Sequence, residues 1–81
     1  RATLGVRNFV AISKNVDDIL LCSEGRIVEA MRLIWTRLKV IIEPSCAVPL
    51  AAIMDQPEQF QGKRVAMILT GGNVDLDALP W

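Results

Sequence analysis

The chain is 81 residues long, 52% hydrophobic and 22% charged, with nine basic and nine acidic side chains and so no net charge. Balanced charge removes the electrostatic footprint of a nucleic-acid binder, and the lack of histidine keeps a histidine triad or a common zinc site out of reach of these residues alone. So apolar a composition offsets its ordering entropy, which excludes disorder, while runs such as Val40-Ile41-Ile42 are far too short to span a bilayer.

Two cysteines, Cys22 and Cys46, cannot build a disulfide framework; they suit a reducing compartment, hence the cytoplasm, and read as small buried hydrophobes. A chain this short buries only about 60% of its unfolded surface. Its mean hydropathy of +0.35 is high for that size, and it opens Arg1-Ala2-Thr3 without an initiator methionine. Together these features predict one piece of a larger protein, whose remainder covers the apolar faces.

In chain order, residues 1–15 carry no clear period, and Phe9-Val10-Ala11-Ile12 reads as a strand or a buried loop. Asp17-Asp18 reads as a solvated pair, because adjacent carboxylates do not converge on one ion unless a loop arranges it. Ile19-Leu20-Leu21-Cys22 is a first strand. Ser23 and Glu24 supply an N-cap and a first-turn acid. Ile27, Ala30, Met31, Ile34, Trp35 and Leu38 then recur at helical spacing, predicting a helix that ends near Leu38 with Arg37 and Lys39 at its C-terminal dipole.

The second unit repeats the plan. Val40-Ile41-Ile42 reads as a strand covered on both faces, Glu43-Pro44-Ser45 as a turn and helix start, and Ala47 to Met54 as a helix. Pro49 is placed in its first turn, where no intrahelical bond is lost. Asp55-Gln56-Pro57 stops it. Arg64 to Leu69 is a third strand, ending in Thr70-Gly71-Gly72-Asn73; Trp81 reads as a docking anchor. Strand, helix, strand, helix, strand is the grammar of an α/β fold, here a three-layer open, mostly parallel sheet with right-handed crossovers.

Ligands of such sheets sit past the carboxyl ends of the strands, where Glu43 and Thr70-Gly71-Gly72-Asn73 fall. The glycine pair allows close backbone approach and positive φ; Thr70 and Asn73 bring a hydroxyl and an amide. The spacing is neither a P-loop nor a dinucleotide fingerprint. On residues alone, an ordinary turn and a ligand site both stand open, as do a solvated and a functional Glu43.

Four strings occur in order: Val16-Asp17-Asp18-Ile19, Ile27-Val28-Glu29-Ala30-Met31-Arg32-Leu33-Ile34-Trp35, Lys39-Val40-Ile41-Ile42-Glu43-Pro44-Ser45, and Leu69-Thr70-Gly71-Gly72-Asn73-Val74-Asp75-Leu76. Together they resemble the C-terminal part of the serine/threonine dehydratase and serine racemase family, pyridoxal-phosphate enzymes of the tryptophan-synthase-β-like fold (fold type II). The resemblance implies that residues 1–81 close the large cofactor-binding domain. It implies that Thr70 bonds the pyridine nitrogen, that Glu43 lines the pocket beside the ring, and that Gly71 and Gly72 let the backbone pass beneath it. Lys39 and Asn73 would touch a nucleotide effector. The chain departs from the family pattern at Cys46, where glycine usually follows Glu-Pro-Ser, and at Pro49, where a small residue is common.

The Schiff-base lysine, the glycine-rich phosphate loop and any carboxylates for a divalent cation lie earlier in such proteins. No metal site is therefore assigned to this chain. Lys14, Lys39 and Lys63 do not stand in the motif of that lysine, so these 81 residues alone are expected to be inactive. The resemblance implies a homodimeric ammonia-lyase that performs β-elimination on a β-hydroxy amino acid, giving a keto acid and ammonia. Racemisation within the same family is the alternative; a small non-catalytic binding module is the alternative from another class.

Overall fold

The computed structural model describes residues 5–81; the opening Arg1-Ala2-Thr3 lies outside them. The element order is α1 (Val6–Asn15), α2 (Glu24–Leu38) and α3 (Pro44–Asp55), followed by a short 3₁₀ turn at Pro57–Gln59.

α2 forms as its sequence dictates. The Ser23 hydroxyl accepts the Arg26 N–H at 3.2 Å, Glu24 occupies the first turn, and Arg37 the last. Lys39 closes the helix in the left-handed conformation, φ 59°, with its N–H on the Trp35 carbonyl. The apolar stripe turns Ala30, Met31 and Ile34 fully inward, with Ile27 and Trp35 half-buried, whereas Leu38 at its end stays exposed.

α3 packs against α2. Small residues at Ala30, Ala47 and Ala51 let the two backbones come close, and Met31, Ile34, Ile42 and Cys46 fill the space between them. Burying Met31 or Ile42 contributes about 1.5–3 kcal/mol each. The far end of the pair is clipped by polar groups: Asp55 accepts the Arg26 Nε–H at 2.8 Å and the Ser23 N–H at 3.1 Å, and Gln56 Nε2 donates to the Leu21 carbonyl at 3.0 Å. At the near end, Trp35 Nε1 donates to the Ile42 carbonyl at 2.9 Å.

Three expectations are corrected. Phe9 to Ile12 belong to α1, neither strand nor buried loop; α1 buries no residue and packs against neither other helix. Pro49 is not in the first turn: α3 starts at Pro44, so Pro49 is its sixth residue and withholds a donor from the Ser45 carbonyl. Finally, the runs at 19–22, 40–42 and 64–69 form no strand among the described residues. The reason is that a strand is a property of a pair. One backbone bond, from the Glu43 N–H to the Gly71 carbonyl at 3.1 Å, links the ends of the second and third runs. A single bond makes no ladder. Ile19, Leu21, Val40, Ile41, Val65 and Ile68 remain exposed. The expected three-layer open sheet is thus not formed among the described residues.

Candidate functional site

Two segments that are remote in sequence meet where the core reaches the start of α3. One runs from Ile41 to Cys46 and the other from Thr70 to Asn73. Glu43 is the hinge of the meeting. It caps α3 without using its side chain as the cap; instead Oε2 accepts the Ser45 hydroxyl at 3.0 Å and Oε1 the Asn73 N–H at 3.4 Å. Its own N–H holds the Gly71 carbonyl. The carboxylate is thereby fixed at both oxygens while staying half-buried.

Cys46 completes the join from below. Its sulfur accepts the Thr70 N–H at 3.3 Å and the Gly71 N–H at 3.1 Å, and lies 3.5 Å from Thr70 Oγ1. The Thr70 hydroxyl contact, helped by the two amide donors, pulls the thiol below its ordinary pKa, against the opposing effects of burial and the Glu43 charge. Cys46 is buried, as the sequence indicates, but its sulfur is a polar junction rather than an inert hydrophobe. The only signal of this in the sequence is its position, one turn into the helix that opens at Glu43-Pro44.

The glycines serve close approach and not unusual torsion. A side chain at Gly71 would collide with the Glu43 carboxylate, and a Cβ at Gly72 would stand 2.7 Å from the Ile41 carbonyl oxygen. Neither has positive φ; Gly62 is the described glycine that does. The structure therefore brings Glu43, Thr70, Gly71 and Gly72 together, with the Asn73 backbone on the same carboxylate. Lys39 is not drawn in: it stands exposed at the end of α2, and no hydrogen bond joins it to Asn73 among the described residues. Asp18 holds the Ile19 N–H at 2.8 Å.

Beside this junction lies a cleft of about 220 Å³ lined by Met31, Pro44, Asn73, Val74 and Asp75. A roomier groove of about 460 Å³ follows α2 at Gly25, Val28, Arg32 and Thr36 and ends at Trp81; none of the junction residues lines it. Among the described residues no three acidic or thiol groups converge as metal ligands, and no helix is long and apolar enough to cross a membrane.

Comparison with known proteins gives concordant results. A family model described as pyridoxal-phosphate dependent enzyme matches residues 1–71. A β-hydroxyaspartate dehydratase of Paracoccus denitrificans is 56% identical over 70 residues, covering 86% of this chain and 22% of that protein. An L-threo-3-hydroxyaspartate ammonia-lyase of a Pseudomonas species is 45% identical over 74 residues, 91% of this chain and 23% of the relative. The crystal structure of serine racemase from Dictyostelium discoideum superposes with a TM-score of 0.82 at 44% identity, over 93% of this chain and 25% of that one. The crystal structure of a T.th. threonine deaminase superposes equally well, TM-score 0.82 at 42% identity, over 89% of this chain and 26% of that one. The chain spans about a quarter of the length of these relatives.

Proposed function

Because the chain belongs to the serine/threonine dehydratase family of pyridoxal-phosphate-dependent enzymes, we propose that it is the C-terminal part of the large domain of an ammonia-lyase acting on a β-hydroxy amino acid, with β-hydroxyaspartate as the first choice of substrate. The observation that carries this reading is the junction itself: Thr70, exposed at its rim, is held in place by Glu43, Cys46 and the glycines that only close packing requires. The two hydroxyaspartate enzymes among the relatives support the choice of substrate.

The donor set fits the cofactor. Pyridoxal phosphate supplies, when bound, the electron-accepting ring that acidifies the Cα–H of an amino acid. Thr70 would offer that ring's nitrogen a neutral hydroxyl, a partner that suits an unprotonated nitrogen and so a weaker electron sink than an acidic partner would give. Glu43 would line the wall beside the ring; both its oxygens are already committed to Ser45 and Asn73, so it would shape that wall without swinging inward. The base that removes the α-proton, and the loop that holds the phosphate, belong to other parts of the protein; these residues position the ring. Lys39 and Asn73 remain the residues through which a nucleotide effector would act. The whole enzyme is read as a cytoplasmic homodimer.

The test is ammonia and keto-acid release by the full-length protein from β-hydroxyaspartate, serine and threonine. Thr70→Asp, which invites protonation of the ring nitrogen, is expected to slow elimination about tenfold or more and to change the cofactor absorbance. An unchanged rate and spectrum overturn the role of Thr70. The second reading, amino-acid racemisation, is favoured by the serine racemase superposition; chiral analysis of recovered serine separates it from elimination.

A further inference from the structure

Cys46 is buried between α2 and α3 at 5% exposure, yet its sulfur makes three polar contacts, all with the Thr70–Gly71 segment. Two of them are amide N–H groups aimed at sulfur, so the sulfur lone pairs are already engaged. Either atom can donate across the 3.5 Å contact with Thr70 Oγ1: the hydroxyl gives its proton to a thiolate, which is the sense that lowers the thiol pKa, whereas in the neutral thiol the S–H is what remains to be given to the oxygen. An S–H donated to that oxygen leaves the Thr70 O–H free to donate away from the core, toward the rim where Thr70 is exposed. The charged group that acts on Cys46 is Glu43, whose carboxylate is occupied by Ser45 and Asn73.

Resting on the cofactor reading above, we propose that Cys46 is a positioning residue for the Thr70 hydroxyl: its sulfur fixes the Thr70–Gly71 backbone through two amides, and its S–H turns the hydroxyl proton outward, toward the ring nitrogen of pyridoxal phosphate. The rim of the junction thus has a built-in donor direction, set from behind by a group that would not itself touch the cofactor. A hydroxyl so oriented suits a partner that accepts a hydrogen bond, as an unprotonated pyridine nitrogen does.

The experiment uses the full-length protein, with Cys46→Ala, Cys46→Ser, Thr70→Val and the double variant Cys46→Ala/Thr70→Val, read by the dissociation constant of pyridoxal phosphate and the absorption band of the bound cofactor. Cys46→Ala is expected to weaken binding about tenfold and shift the band, the scale of removing one polar interaction. Cys46→Ser, which still accepts and donates, is expected to return the band to its wild-type position. In the Thr70→Val background the Cys46→Ala change should leave the band where Thr70→Val put it. A wild-type dissociation constant and band in Cys46→Ala, or equal band shifts with and without the Thr70 hydroxyl, overturn the inference. Should Cys46→Ala not fold, the remaining pair decides: a wild-type band in Cys46→Ser with a shifted one in Thr70→Val supports the proposal, and equal shifts overturn it. If the wild-type protein fails to bind pyridoxal phosphate, the underlying functional reading falls as well; if it binds and only the variants are silent, the role of Cys46 alone falls.

Discussion

At Gly72 a Cβ would sit 2.7 Å from the Ile41 carbonyl oxygen, whereas at Gly25, in the first turn of α2, it would meet nothing within 4 Å. The two glycines therefore predict opposite outcomes. Gly72→Ala must push apart the Ile41 and Gly72 backbones, and is expected to destabilise the full-length protein by about 1–3 kcal/mol in denaturant unfolding. Gly25→Ala fills open space and lowers the entropy of the unfolded chain, a gain of about 0.5–1 kcal/mol. Of the two causes that sequence reasoning offers for Gly71-Gly72, close backbone approach and positive φ, the structure shows the first, and the approach is to Glu43 and Ile41. A glycine pair after a strand suggests torsional freedom, and the steric contact with Ile41 and Glu43 becomes visible only when distant segments of the chain are in place. Cys46 shows the same limit more sharply. Its residue type announces a small hydrophobe, and the amides that make its sulfur an acceptor lie 24 and 25 positions away.

Among elements, α2 is legible because its signals agree: a capping serine, a first-turn acid, a stripe at three and four, and a basic end. Ser23→Ala removes the acceptor for the Arg26 N–H and is expected to cost about 1 kcal/mol, measured by unfolding of the full-length protein. In α3 the start at Glu43-Pro44 and the stop at Asp55-Gln56 are both legible, but the helix already runs from Pro44 while the helical composition begins at Ala47, so Pro49 lies deeper in the helix than that composition implies. Its missing donor leaves the Ser45 carbonyl without an α-helical partner. Pro49→Ala restores that bond; α3 should gain stability, by up to about 3 kcal/mol, visible as slower amide exchange across residues 49–55. A faster exchange would mean that the ring's packing outweighs the missing bond. α1 is the least legible, since Val6, Phe9 and Val10 lie exposed and no partner element among the described residues gives their spacing a purpose.

At the scale of the molecule, the sheet is the expectation that the described residues do not form. Val40-Ile41-Ile42 and Val65-Ala66-Met67-Ile68 announce strands, but pairing depends on neighbours, and the relatives are about four times as long. What the chain does build alone is the α2–α3 pair, clipped at one end by Arg26 and Asp55. The Arg26 guanidinium, together with the Ser23 N–H, holds the Asp55 carboxyl below its ordinary pKa. A carboxyl so depressed binds its proton less readily in the folded than in the unfolded chain. Its contribution is therefore full above about pH 4, the ordinary carboxylate value, and disappears as the pH falls through the lower folded value. Asp55→Asn should flatten the acid limb of the melting-temperature profile and leave the neutral region lower; an unchanged acid limb would show that other carboxylates dominate it. The indoles offer a last consequence. Trp35 and Trp81, the two tryptophans of the chain, meet edge to face with centroids 5.1 Å apart, and the Trp35 N–H is tied to Ile42, the residue before Glu43. The molecule thus carries its own fluorophore on α2, tied by that bond to the segment that leads into the junction. Any loosening there releases an indole N–H to water and moves its emission to longer wavelength, so the state of that junction can be followed by light without an added dye.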